Sequence, residues 1–357
     1  MNFTLFGYPK TGKTTLFNLL SGAHEHTAGF DEGKREPHLR TVPFPDDRLA
    51  RLGAVYPDKK AVSWMVDILD LAGLSFGEVK NSTLLSHLRK SDLLVHVVRG
   101  FANPQIPHPK GRINPREDIL SMEQEMILAD LVSVEARLAK LELDLKKKKD
   151  PEAERELDVL AALRPAIEEG KALREIEFGP AQEKALRGFA FLSQKPLLHV
   201  INGAESDIPS LEKPEAFGPP ARPGTAVLGF CGRIEGEIAE LSAEDKELFL
   251  AEYGLRELTP AKFFRAARQV LEMILFYTIG KDEVRAWAVR RGSHAQKAAG
   301  TIHSDMEKGF IRAEVVHLDD MLRLGSLQHA KENGAIRLEG RDYIVRDGDV
   351  IYFRFTS

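Results

Sequence analysis

Residues 2–6, NFTLF, alternate apolar and polar positions as a short strand does, run into GYPKTGKT, and are followed by TLFNLLSG with the spacing of a helix. Further apolar runs at 64–71, 93–98 and 197–201 each end in a polar or glycine-bearing turn, the pattern of buried strands in an α/β sheet. Between 117 and 178 the pattern becomes helical. Ile127, Leu131, Val134, Leu138, Leu141 and Leu145 recur at steps of four and three, the seam of a coiled coil. Asp150-Pro151 marks a turn, and Ala153, Leu157, Leu160 and Ile167 give a weaker return stripe, so an antiparallel helical hairpin is expected. Its first helix, over 117–149, would run about 50 Å. After Gly280, short alternating segments predict a small β-rich domain. Within it, Tyr343-Ile-Val, Arg346-Asp-Gly-Asp and Val350-Ile-Tyr-Phe predict a hairpin with a type I′ turn at Asp347-Gly348. The proline- and glycine-rich stretch 217–224 is expected to be a loop inside the first domain.

Composition narrows the class. At 357 residues, 43% hydrophobic and 29% charged, the chain has length for two or three domains. A formal net charge of -4 argues against a globally basic nucleic-acid binder, so any RNA contact is expected at a local patch. The single Cys231 excludes an internal disulfide or multi-cysteine metal site and fits a core position in a reducing compartment. No run approaches the roughly 18 to 20 apolar residues of a membrane span, and a strand starting at Asn2 leaves no room for a signal peptide. A cytoplasmic chain without a membrane partner is the expectation.

Gly7-Tyr8-Pro9-Lys10-Thr11-Gly12-Lys13-Thr14 satisfies G-x-x-x-x-G-K-[ST] between a strand and a helix, the context the motif requires. Backbone N–H groups close around phosphate oxygens, Lys13 reaches the β and γ phosphates and stabilises developing charge, and the Thr14 hydroxyl ligates Mg²⁺. Thr15 extends this nucleotide-binding set. Asp70-Leu-Ala-Gly73 follows an apolar run, which supplies a carboxylate for Mg²⁺ and a glycine N–H to sense the γ-phosphate. Asn202-Gly-Ala-Glu205 stands at the end of another run, where this class of NTPase carries N-K-x-D to read guanine. Guanine offers N1–H and N2–H₂ donors to a carboxylate, whereas adenine offers an N1 acceptor and one amino group, so Glu205 is read as shifting or relaxing base choice. Cys231 and Gly232 complete the candidate nucleotide-binding residues.

GYPKTGKTTLFNLLSG, EPHLRTVPFPDDRL, DLAGL, NGAE, KAAGTIHSDMEKGFIRAEV and RLEGRDYIVRDGDVIYFRF together resemble the YchF family of Obg-related P-loop NTPases, over nearly the whole chain. The resemblance implies a nucleotide domain holding a coiled-coil insertion, then a β-grasp TGS domain, ATP often preferred to GTP, and the ribosome as a partner. Lys10-Thr11 stand where the family usually has Asn-Val. Lys34 takes the place of a threonine that completes the Mg²⁺ shell in relatives, and three readings are open: it neutralises the γ-phosphate, it points to solvent, or it marks a site that binds nucleotide but hydrolyses it poorly. Leu74 stands where many regulatory GTPases place a water-orienting glutamine, which implies slow intrinsic hydrolysis. His108, in QIPHPKGRINP, resembles a family histidine linked to hydrolysis; the other reading is a solvated loop histidine.

Candidate partner surfaces are local. The segment 117–177 holds 10 Lys/Arg against 17 Asp/Glu, so the arm's body is a poor RNA ligand, while Lys146 to Lys149 at the hairpin tip either meet phosphates or form a solvated helix end. The segment 281–312 holds seven Lys/Arg against four Asp/Glu, with Trp287 read as core. The expected architecture is an α/β P-loop (Ras-like) sheet domain in two parts, 1–116 and 179–280, with an inserted helical hairpin over 117–178 and a β-grasp, TGS-like domain over 281–357. The expected function is a monomeric, Mg²⁺-dependent nucleotide switch that slowly hydrolyses ATP, possible GTP use included, in association with ribosome or ribosomal RNA. The competing reading is a non-hydrolysing nucleotide-bound scaffold.

Overall fold

The computed structural model describes residues 1–25, 37–71, 82–105, 107–214 and 222–356. They form two compact units: Met1–Thr41 with Asp67–Ala266, and Val42–Val66 with Ala267–Ser357.

The sheet of the first unit has the order β2-β4-β1-β5-β6-β7, built from β1 (Asn2–Phe6), β2 (His38–Pro43), β4 (Met65–Asp70), β5 (Leu93–Arg99), β6 (Leu197–Asn202) and β7 (Thr225–Phe230). β1 pairs in parallel with β4 and β5, and β5, β6 and β7 continue in parallel. Every residue of β5 and β6 is buried, which is why these runs read as nearly continuous apolar sequence rather than as alternation. Parallel strands bring their carboxyl ends to one edge. Gly7, Asp70, Asn202 and Cys231 stand at or just past four such ends, where ligands bind in open α/β sheets. Helix α1 (Lys13–Ser21) starts directly from the glycine-rich loop.

The inserted arm is α4 (Pro115–Lys147) folding back into α5 (Pro151–Glu168). Both begin with the same chemistry: Asn114 and Asp150 cap with their side chains, and each is followed by proline at the first helical position, where no N–H is needed. Ile127, Val134, Leu138 and Leu141 bury against Leu160, Leu163 and Ile167, the seam the spacing predicts. Nearer its start, α4 lies on the sheet through Met122 and Met126, beside Leu94 and Leu197. Asp130, fully buried, fixes that root by accepting from Leu192 N–H (2.9 Å) and Ser193 N–H (2.7 Å).

The second unit has the sheet order β11-β10-β12-β8-β9-β3. It comprises β3 (Lys60–Val62), β8 (Met273–Ile279), β9 (Glu283–Arg290), β10 (Phe310–His317), β11 (Arg337–Glu339) and β12 (Asp349–Phe355). The β8/β9 antiparallel pair, the helix Ala295–Ile302 packed on Ile274, Phe276 and Phe353, and β12 running parallel to β8 make a β-grasp. Trp287 packs against this core and donates to Thr278 Oγ1 at 2.9 Å. An early segment also joins it: β3 pairs with β9, and α2 (Asp47–Val55) is tied in by Arg48, whose guanidinium bridges Asp46 and Asp347.

The predicted hairpin at Asp347-Gly348 does not form. Only Gly348 has positive φ (+92°), so the type I′ geometry is absent, and β12 pairs with β8 and β10 while Ile344 bridges to His294. Asp347 is engaged elsewhere, accepting from Leu275 N–H at 2.9 Å and from Arg48. These tertiary partners outcompete the local turn preference.

Replacing Asp130 with alanine strands two buried backbone donors, and urea unfolding followed by circular dichroism is expected to show a loss of about 2–4 kcal/mol. Leu143→Ala, at an arm position 58% exposed, should change stability by less than about 0.5 kcal/mol.

Candidate functional site

The loop after β1 owes its shape to two glycines. Gly7 has φ +140°, and a Cβ there would stand 2.4 Å from Val97 O; Gly12 has φ +98°, and a Cβ there would stand 2.2 Å from Asn202 Nδ2. No side chain fits either place. Lys10, exposed, also takes positive φ (+62°), and Pro9 is half-buried beside it. Thr11 is buried and its hydroxyl donates to Tyr8 O at 3.2 Å, closing the turn. Lys13 lies inside the loop, its Nζ donating to Tyr8 O (2.8 Å) and Gly7 O (3.3 Å). Burial pushes its pKa down to about 8, with the Asp70 carboxylate opposing the shift.

Asn202 ties this loop to the neighbouring strand ends. Its Nδ2 donates to Thr11 O at 3.1 Å and its Oδ1 accepts from Gly232 N–H at 3.0 Å. Gly232 opens the helix Gly232–Ala239, and a Cβ there would come within 3.1 Å of Asn202 Oδ1, Phe230 and Thr15. Cys231, 1% exposed, caps that helix and donates its N–H to Glu235.

Thr14 Oγ1 donates to Asp70 Oδ2 at 2.8 Å, and His38 Nδ1 stands 3.7 Å from the same oxygen. A hydroxyl and a carboxylate converging on one point are hard oxygen donors of the kind Mg²⁺ accepts, one or two from protein and the rest from phosphate and water. The donor set therefore fits the metal.

Two candidates stand apart. Glu205 is exposed on the short turn Glu205–Asp207. His108 is not a solvated loop residue: it is 8% exposed, its Nε2 lies 3.2 Å from Asp118 Oδ2, and its Nδ1 accepts from Lys110 N–H at 3.2 Å. Burial lowers its pKa, Asp118 opposes, and Arg99, Arg112 and Lys110 add to the lowering. The ring is thus neutral, hydrogen-bonded at Nδ1 and facing the Asp118 carboxylate at Nε2 without a hydrogen bond to it. It stands edge-on to Tyr8 at 6.5 Å, while Lys110 sits over the Tyr8 ring at 5.0 Å. Lys34, Gly73 and Leu74 lie outside the described residues.

Sequence reasoning missed Asp118, Arg99 and the buried pair His96 and His199. Arg99 is 1% exposed and donates to Phe101 O. A histidine inside each of the apolar runs LLVHVV and LLHVI was the available signal, since neither strand has a polar face on which to place it.

Two family models match: MMR_HSR1, described as a 50S ribosome-binding GTPase, over residues 2–137, and YchF-GTPase_C, described as a protein of unknown function (DUF933), over 273–356. The chain is 38% identical to the Ribosome-binding ATPase YchF of Bacillus subtilis (strain 168), over 99% of this chain and 98% of that one. It is 32% identical to Obg-like ATPase 1 of Gallus gallus, over 99% and 92% respectively. A solved structure, the Schizosaccharomyces pombe YchF GTPase, is 23% identical and covers 99% of this chain and 97% of its own with a TM-score of 0.79, a likeness of fold. With full-length relatives above 30% identity and a loop built for phosphate at the edge of its parallel sheet, the chain belongs to the YchF/Obg-like ATPase family.

Proposed function

We propose that this protein is a nucleotide-dependent switch that binds ATP, and secondarily GTP, with Mg²⁺, hydrolyses it slowly, and acts with the ribosome. The observation that carries the reading is Lys13 folded into a glycine-shaped loop beside the Thr14–Asp70 pair. The names of the Bacillus and chicken relatives support the ATPase and, for the former, the ribosome association. The same reading makes the chain cytoplasmic and monomeric; no described helix is long and apolar enough to cross a membrane.

On binding, Lys13 exchanges two loop carbonyls for phosphate oxygens, while Gly7, Tyr8, Lys10, Thr11, Gly12 and Thr15 wrap the phosphates with backbone N–H groups and Pro9, which has none, shapes the loop between them. Thr14 and Asp70 would hold Mg²⁺, which when bound would supply charge neutralisation for the phosphates. Asn202 keeps Gly232 and Cys231 against the loop, and Glu205 selects the base. Gly73, Lys34 and Leu74 belong to the switches that respond to the γ-phosphate. For His108 to assist attack by water, it must leave Asp118. Its engagement there favours a second reading, in which nucleotide is held as a structural ligand without turnover. Multiple-turnover phosphate release stimulated by ribosomes rules against the scaffold; tight binding with no release under any partner condition rules out the ATPase.

Calorimetric titration of nucleotide-free protein should show Mg²⁺-dependent binding of ATP tighter than GTP. Thr14→Ala should lose the Mg²⁺ dependence and Gly12→Ala the binding itself; GTP preference would reverse the role given to Glu205.

Affinity should also fall as pH rises through about 8, by up to about tenfold per unit, because the free protein sheds the Lys13 proton that phosphate needs. The complex then takes up a proton, measurable as a dependence of the heat on buffer ionisation, and Lys13→Met abolishes it. For folding the sign is opposite. The folded pKa is lowered, so this group's cost is present below about 8 and is relieved as pH rises toward the ordinary lysine value of 10.5.

A further inference from the structure

His96 and His199 face each other in the β5/β6 register, 0% and 1% exposed, with their Nδ1 atoms 3.1 Å apart. His199 Nε2 lies 3.0 Å from Oε1 of Glu123, which projects from the root of α4. Burial alone would raise the Glu123 pKa, but the hydrogen bond from His199, with the charges of Arg174 and Arg222, holds it below the usual range, so it is a carboxylate that only accepts. Burial also keeps both imidazoles neutral.

These facts fix every proton in the chain. Glu123 accepts, so His199 carries its hydrogen on Nε2 and leaves Nδ1 bare. His96 must then donate from Nδ1, which leaves a lone pair on its Nε2. That nitrogen is buried and has no hydrogen-bond partner among the described residues. The His96 ring stacks on Phe6 at 5.2 Å, and Cδ2, the atom beside Nε2, stands 3.3 Å from where a Cβ on Gly7 would be. The relay therefore begins on the helical arm and ends against the first residue of the phosphate loop, whose carbonyl holds Lys13. Leu94, Leu197, Met122 and Met126 are the apolar part of the same layer, while Arg222 stands 3.6 Å from Glu123 Oε2 at its outer end. A well-packed apolar substitute for such a buried polar group is often as stable or more so, and stability alone gives no reason for it.

We propose that Glu123, His199 and His96 are positioning residues that couple the root of the helical arm to the phosphate loop. Glu123 sets the tautomer and tilt of His199, His199 sets those of His96, and His96 holds its acceptor edge against Gly7. A shift of α4 on the sheet alters the first link and is felt where Lys13 passes from loop carbonyls to phosphate. The inference rests on the nucleotide-binding reading of that loop and adds the route by which the arm reaches it.

The test is ¹⁵N spectroscopy of the full chain, with labelled histidine rings and backbone amides, free and with ADP and Mg²⁺. His96 Nε2 is expected at the position of an unprotonated ring nitrogen and His199 Nε2 at that of a protonated one, with the His96 signals moving on ADP addition. Loop amides that move while the His96 nitrogens stay still overturn the coupling. Loop amides unmoved by any nucleotide remove the nucleotide reading, and the proposal with it. As an independent measure, Glu123→Gln and His199→Phe should weaken ADP binding about threefold and fivefold, and the double variant no more than His199→Phe alone. Additive losses overturn the relay.

Discussion

The carboxamide of Asn202 is the constraint on which the functional edge of the first unit depends. One side chain holds three segments that are distant in sequence: the phosphate loop through Thr11 O, the end of β6 on which it stands, and the start of the helix after β7 through Gly232 N–H. It reaches them because Gly12 and Gly232 put no side chain in its way. The loop is thus held open for phosphate by packing from the sheet side, and its positive-φ residues are strained locally only within limits that the sheet over-determines.

Buried carboxylates do comparable work elsewhere in the same unit. Asp130 fastens α4 to the backbone of Leu192 and Ser193, and Glu235 receives Thr259 N–H, Thr259 Oγ1 and Cys231 N–H. Burial raises the pKa of both acids, with the hydrogen bonds they receive pulling the other way. Each anchors a connection rather than an element, so the irregular segments around the site are set by specific acceptors while the strands are set by apolar burial.

What the sequence makes legible follows the range of the interactions involved. The strand–loop–helix at Gly7 to Thr14, the seam from Ile127 to Leu141 and the presence of a C-terminal sheet all depend on neighbours within a few turns, and periodicity reports them. The turn at Asp347-Gly348 was misread because Leu275 and Arg48, both far away in the chain, take the aspartate. His108 stayed open between a hydrolytic and a solvated-loop reading because no side-chain pattern announces Asp118 as its neighbour. Asn202 was legible as a candidate by its motif position, yet its service to Thr11 and Gly232 depends on two backbone atoms that no side-chain pattern encodes.

The segment Val42–Val66 is contained in the first quarter of the sequence but completes the sheet of the second unit, leaving the first unit after Thr41 and returning at Asp67, residues joined by a 2.6 Å hydrogen bond. During synthesis, β3 emerges long before β9 exists to pair with it, and α2, whose Leu49 and Leu52 are buried in the finished protein, leads directly into that strand. The two units are therefore not independent products of a growing chain. The excursion between β2 and β4 stays without its sheet partner until β9 is made, so an early segment settles only after a much later one has emerged.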